Sequence, residues 1–446
     1  MRPRLLLGSL GLAAAIVAHD VTRRAPVPEP AHESAPHADW RDTTLADPVA
    51  RLQARLDAGV ATLPHDSAFG YLPALLRTLG IPLSSQGLVF SRTSLQTDRI
   101  TPWSPRALYF NDDVYIGYVQ ESHFLEIASM HPTRGAVFYT LTQDATEKPA
   151  FERETRTCLM CHQSRATTGG VPGLMVLSSI TDKYGYPITG VHDGGMTDAT
   201  PIRQRWGGWY VTGTHGTGTT GAAGHSGNVY SPLFRHEIPD KQRYRSELDL
   251  TVESDRTHLE GKFDPSPYPS AHSDIVALMV LVHQTTVHNL LAGLHEIAEV
   301  TPPSVADAGA GESAEATRLN GAVERLLRAM LFVQEAPLAG PMRGTTSFAQ
   351  DFASLGPRDA RGRSLRDFDL ERRLFRHPLS FLIYSESFDA LPEVAERVFY
   401  QRLDAILRGE EQDAAYAHLT AADRTAIREI LEATKPAFVR ARQTPG

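Results

Sequence analysis

The chain of 446 residues contains two cysteines, and they stand three positions apart with a histidine directly behind: Cys158-Leu159-Met160-Cys161-His162. Cys-x-x-Cys-His is the spacing by which a c-type haem is attached. Two thiols add across the two vinyl groups of a porphyrin, and two intervening residues let one helical turn bring both sulfurs to the same ring edge. The imidazole that follows reaches the iron as its proximal ligand. Other chemistries use the same residue types. A zinc site would pair the cysteines with two histidines at short fixed spacings, and no tidy His-x-x-x-His follows. A redox dithiol would open a helix within a βαβ unit, a pattern the sequence lacks. Chance placement of two cysteines and 18 histidines gives the motif with a probability on the order of 10⁻⁴, which makes accident a poor account of it. The expectation is one covalently bound haem c on Cys158 and Cys161, with His162 on the iron. Zinc or a structural disulfide in a binding protein is the alternative use of the cysteines.

A sixth ligand to such an iron would be methionine or histidine. Met175 and Met196 lie 13 and 34 residues beyond His162, and Met175 falls in an apolar run, LMVLSSI, that suits a core strand. The segment GGWYVTGTHGTGTTGAAGHSGN, 207–228, carries eight glycines and places His215 and His225 beside glycine. Glycine lets backbone approach a flat ligand closely, so His225 is the first candidate for the distal position. A surface loop with two solvated histidines is the alternative. His283, His288 and His295 share one long apolar segment. At 100° per residue His288 and His295 fall within about 20° of each other and His283 about 140° from His288. Each reads first as a core histidine with a satisfied hydrogen bond, and His283 or His288 second as a ligand or proton relay. Asp112 and Asp113 follow a strand in FNDD and read as turn formers.

The elements that must position these residues are legible from pattern. Met1 to Arg24 opens with two arginines and a 14-residue apolar run, Leu5 to Ala18, the layout of a secretory signal or an N-terminal anchor. Export suits haem attachment and predicts a periplasmic or otherwise extracytoplasmic protein, touching a membrane only through that segment. Residues 25–46 are a Pro/Ala-rich tether, and its His32 and His37 read as solvated linker residues. Net charge of −8 and the absence of a basic stripe exclude a general nucleic-acid binder. A mixed helical and β-rich region, 47–265, should carry the motif. ALYF, VYIGYV, FLEIAS, AVFYTLT, LMVLSSI and WGGWYVTG read as strands. An α-helical region, 266–446, follows, with a long buried helix opened by Ser273 and a flexible loop near 301–316. Pro392 and Thr420 should open two closing helices. Together these patterns predict an α+β fold, with the motif facing an apolar cavity between the β-rich and helical regions.

On Cys158-Leu159-Met160-Cys161-His162 the chain resembles the cytochrome c family. The match covers five residues, and the remainder does not look like the small all-helical domain of a compact class I cytochrome. The runs SPRALYFNDDVYIGYV and RWGGWYVTGTHG resemble a group of large exported bacterial single-haem proteins. The resemblance implies haem, electron transfer to a redox partner protein or a small-molecule donor or acceptor, and an extracytoplasmic location. The length of the chain also admits a haem enzyme of peroxidase or oxidase type, since a shuttle needs only about 100 residues around its haem.

Overall fold

The first strand-forming runs pair in chain order, and the last returns beside the first strand. In the computed structural model, which describes residues 46–443 apart from 192–193, 217–223, 252, 305–312 and 412, seven strands form one antiparallel sheet. They are β1 (Gly87–Val89), β2 (Arg106–Phe110), β3 (Val114–Tyr118), β4 (Phe124–His131), β5 (Gly135–Thr142), β6 (Phe151–Arg153) and, after the short pair β7 (Leu177–Ser178) and β8 (Gly194–Gly195), β9 (Trp209–Tyr210). Their order across the sheet is β6-β5-β4-β3-β2-β1-β9. The β4–β5 hairpin is the longest ladder, from Phe124 opposite Thr142 to His131 opposite Gly135. Gly135 closes its turn at φ 75°, a left-handed conformation that glycine adopts without a Cβ clash. The predicted strands LMVLSSI and WGGWYVTG shrink to two residues each. In the second, Gly207 and Gly208 press against the backbone of Ser179, where a Cβ would meet main-chain atoms at about 3 Å.

Alternation along the strands sends side chains to two covered faces. Phe110, Tyr115, Ala128 and Phe138 join a core with the long helix Ile275–Glu299. Tyr109, Ile116, Ile127 and Tyr139 join a second core with the N-terminal helices Pro48–Asp57 and Leu72–Thr78. Burial on both faces explains why all five residues of VYIGY are buried. The described residues belong to one unit beginning at Ala38. The fold is α+β, with the sheet in the middle and helices mostly C-terminal. The N-terminal signal segment and the tether to residue 45 lie outside the described residues, as do 305–312 of the predicted loop.

The long helix begins one residue later than its sequence suggests. Asp274 caps it, accepting from the N–H of Val276 at 2.8 Å. Ser273 is spent elsewhere: its hydroxyl donates to the Tyr210 carbonyl at 2.7 Å and accepts from Leu88 N–H at 2.9 Å, tying β9 to β1. The polar stretch His283 to Thr286 does not interrupt the helix. Each of the four side chains makes at least one hydrogen bond inside, as when Gln284 donates to Tyr115 Oη at 2.6 Å. The closing helices Glu393–Arg408 and Ala421–Thr434 start at Pro392 and Thr420 as expected, the latter with a reciprocal box between Thr420 and Asp423. A last helix, Pro436–Gln443, follows them.

Two part-buried acids, Asp113 and Glu335, make the fold sensitive to alkali. Burial raises the Glu335 carboxyl from an ordinary 4.5 to about 7, the hydrogen bond from Leu374 N–H opposing and the charge of Asp198 assisting the shift. Between those values the folded chain holds a proton that the unfolded chain has lost, so stability falls as pH rises through the window. Glu335→Gln keeps a side-chain oxygen for Leu374 and removes the titration. It is expected to leave stability unchanged at pH 4.5 and to raise it by about 1–3 kcal/mol at pH 8. Urea unfolding at both pH values checks this; equal midpoints for variant and parent at pH 8 would refute it.

Candidate functional site

The Cys-x-x-Cys-His residues form a single helical turn. Cys158 stands at its N-terminal end, Leu159–His162 are helical, and His162 N–H donates to the Cys158 carbonyl at 2.9 Å. Positions i, i+3 and i+4 share one side of a helix, so Cys158, Cys161 and His162 lie on a common face. Ser164 caps the next short turn, Arg165–Thr168, which Gly169 ends at φ 75°. Cys158 and Leu159 pack against the main core, whereas Cys161 and Met160 are exposed.

His162 is held by two residues through three contacts. Its ring lies 4.8 Å from the ring of Phe138 on β5. Its Nδ1 donates to the Gly173 carbonyl at 2.9 Å, while Gly173 N–H donates to the His162 carbonyl at 2.8 Å. Burial lowers the imidazole pKa and the Gly173 bond partly opposes the fall, so the ring is neutral near pH 7. With its proton on Nδ1, Nε2 carries a free lone pair, the tautomer an iron ligand needs. Gly173 is fixed in turn from the long helix. Asn289 accepts from Leu174 N–H at 2.9 Å and donates to the Leu174 carbonyl at 2.6 Å. A Cβ on Gly173 would fall 2.2 Å from the Asn289 amide oxygen, so only glycine fits.

A charged pair lies behind the turn. Arg106 on β2 and Glu126 on β4 meet at 2.7 Å, both mostly buried. Gly117 on β3 between them lets the side chains cross, since a Cβ there would touch Glu126 at 3.3 Å and Arg106 at 3.4 Å. Arg106 Nε and Glu126 Oε1 are buried without a hydrogen-bond partner among the described residues. Both charges reach His162, with opposite effects. Burial, then the charges of Glu154 and Glu126, push the Cys158 thiol up to about 12. A thiol held protonated is the reverse of what a redox dithiol or a zinc ligand requires.

The other sequence candidates are not brought to His162. His225 packs near β9, five strands from β5, with its ring 5.3 Å from Trp206 and 5.2 Å from His215. Its Nδ1 accepts from Gly227 N–H at 3.0 Å. The ring proton therefore sits on Nε2 and occupies the lone pair a distal ligand would use. His215 and His225 are both buried rather than solvated. Met196 sulfur accepts from Trp206 N–H at 3.1 Å. His283 bonds Asp198 and Ser380, each at 2.7 Å; His288 bonds the Asp112 carbonyl and His295 the Ser387 carbonyl, each at 2.8 Å. All three are core histidines. Asp112 pairs with Arg366, a role its place in a turn did not signal.

The donor residues are of the types that covalent haem uses, and the space around them is uneven. A cavity of about 20 Å³ beside Leu159, Phe138 and Pro172 is too small for a porphyrin, while the side of the turn bearing Cys161 and Met160 is open. The larger cavity, about 530 Å³, lies between the segment 166–176, residues 195–197, the long helix and the helix Ala314–Met330. Val171 and Leu174 line it while Pro172 lines the small one. The segment 166–176 lines the larger cavity and the motif residues do not, so the turn does not face the apolar cavity expected of it.

Comparison with protein-family models finds no match, and comparisons with curated proteins and with solved structures find none either. The resemblance to the cytochrome c family and to large exported single-haem proteins is therefore corrected. Five motif residues carried it, no family model supports it, and among the described residues no group of three or more His, Cys, Asp or Glu side chains gathers as a metal site. Local chemistry and common descent are separate questions, and a five-residue motif speaks only to the first.

Proposed function

We propose that this chain is an extracytoplasmic electron-transfer protein that holds one haem c through Cys158 and Cys161, with His162 as an iron ligand. The observation that carries the reading is the His162 tautomer: Nδ1 is committed to the Gly173 carbonyl at 2.9 Å and Nε2 is left free, on the same helical face as both thiols. The haem would supply one-electron exchange between ferric and ferrous iron. The chain's own residues do the rest. Cys158 and Cys161 anchor, and the Gly173 carbonyl raises the basicity of His162. Asn289 fixes Gly173, and Arg106 with Glu126 supplies balanced charge behind the turn. The open side at Cys161 and Met160 suits approach of a redox partner protein or a small-molecule donor or acceptor.

A haem-dependent oxidoreductase of peroxidase or oxidase type is the second reading. The cavity of about 530 Å³ lined by the segment 166–176 favours it, because it gives room for a small substrate. Expression in a host with haem c maturation machinery tests both. The expected product has a Soret band that survives denaturation and acidic organic extraction, with a resolved α-band on reduction. A low-spin spectrum indifferent to cyanide supports electron transfer; a high-spin one that shifts with cyanide or peroxide supports the enzyme. A matured preparation whose colour is wholly extractable defeats both.

A further inference from the structure

From the cavity walled by the long helix we infer a binding site for a small, largely apolar monoanion of the medium-chain carboxylate class. The inference is independent of haem. The cavity measures about 530 Å³, within the range of ligand pockets, and Leu174, Val176, Met196, Leu290, Leu294 and Ile297 supply apolar walls. Several of its polar side chains are already spent. Thr285 and Thr286 donate to the Val282 carbonyl, each at 3.1 Å, and Thr168 donates to the Val171 carbonyl at 2.7 Å. Asn289 uses both ends of its amide on Leu174. The walls therefore offer little to a polar body and suit an aliphatic one.

The rim differs. Arg325, on the helix Ala314–Met330, lines the cavity and has no ion pair or side-chain hydrogen bond among the described residues. Glu296 stands on the same rim and has an interaction of its own. A free guanidinium at the mouth of an apolar cavity recognises a single carboxylate, the planar partner it grips best. Gly293 points the same way. It sits inside the helix Ile275–Glu299, where glycine is a poor helix former. An added Cβ would meet only Val171 Cγ1, at an ordinary 3.9 Å. Packing does not demand glycine there, and its bare backbone leaves that side of the cavity open.

Isothermal titration with octanoate on the full chain tests this, with octanol as the uncharged comparison. The expected result is saturable one-to-one binding of octanoate and binding of octanol weaker by about tenfold or more. Arg325→Ala, an exposed change that leaves the core intact, should weaken octanoate by about tenfold. Gly293→Leu should abolish binding by filling the cavity while its thermal midpoint stays at or above that of the parent. No saturable binding to the parent overturns the proposal, as does equal binding of octanol. Unchanged affinity in Arg325→Ala or in a folded Gly293→Leu overturns it too.

Discussion

Cys158→Ala combined with Cys161→Ala is expected to yield a protein with no covalently held haem after expression with maturation machinery, a complete loss of the Soret absorbance that resists extraction. Each single variant should retain attachment in part and with an altered spectrum, because one thioether leaves a vinyl group free. The two are not equivalent. Cys158 is half-buried against the core with its thiol pushed up to about 12, whereas Cys161 is exposed. Loss of Cys158 also removes packing and should lower stability by about 1 kcal/mol more than loss of Cys161. His162→Ala should keep both thioethers and lose the low-spin spectrum, since the imidazole presented by Gly173 is gone. Intact mass before and after extraction, with spectra of the reduced protein, checks each expectation. Full covalent loading of the double variant would remove the reading of the motif altogether.

Much of the fold was written in local pattern. ALYF, VYIGYV, FLEIAS and AVFYTLT became β2 to β5 because short runs rich in β-branched and aromatic residues fit a sheet covered on both faces. The start signals at Pro392 and Thr420 held because both are local: proline presets its own backbone, and Thr420 shares a reciprocal hydrogen-bond box with Asp423. The misreadings have the opposite cause. Ser273 looked like a cap, yet its hydroxyl serves Tyr210 and Leu88, residues 63 and 185 positions away. The glycine-rich stretch with His215 and His225 looked like a surface loop or a lid over a flat ligand. Instead the two rings pack against each other, and His225 packs against Trp206 as well. Within the candidate site, Cys158, Cys161 and His162 announced themselves by spacing, but nothing local marks Asn289, Gly173, Arg106 or Glu126. Asn289 meets Leu174 across 115 positions and Arg106 meets Glu126 across 20. A glycine in the middle of VYIGYV, a strand otherwise of large residues, was the one visible trace that side chains must cross there.

His283→Ala is expected to destabilise the protein by about 3–5 kcal/mol, the largest effect of any single change away from the motif. His283 Nδ1 bonds Asp198 and Nε2 bonds Ser380, each at 2.7 Å. Those three side chains are arranged as in a serine hydrolase, yet access decides against that chemistry. Ser380 and His283 are both 0% exposed. The imidazole stacks on Phe332 at 4.3 Å, with Phe375 and Phe381 at 6.1 and 6.2 Å. A nucleophile needs a substrate within reach, and these rings fill the space a substrate would use. The relay is a clamp that joins the loop of Asp198 and the turn of Ser380 to the long helix. Asp198 already has one carboxylate oxygen buried without a hydrogen-bond partner among the described residues, so losing His283 would leave the carboxylate no hydrogen bond there and only the nearby charge of Arg205. Ser380→Ala should cost less, about 1–2 kcal/mol, because His283 keeps Asp198. Asp198→Asn with Ser380→Ala should show a coupling of about 0.5–3 kcal/mol through the shared imidazole. Urea unfolding of the variants measures these terms, and a fluorophosphonate probe reports on access. A loss under 1 kcal/mol in His283→Ala would dismiss the clamp, and stoichiometric labelling of Ser380 in the folded protein would restore the hydrolase reading in its place.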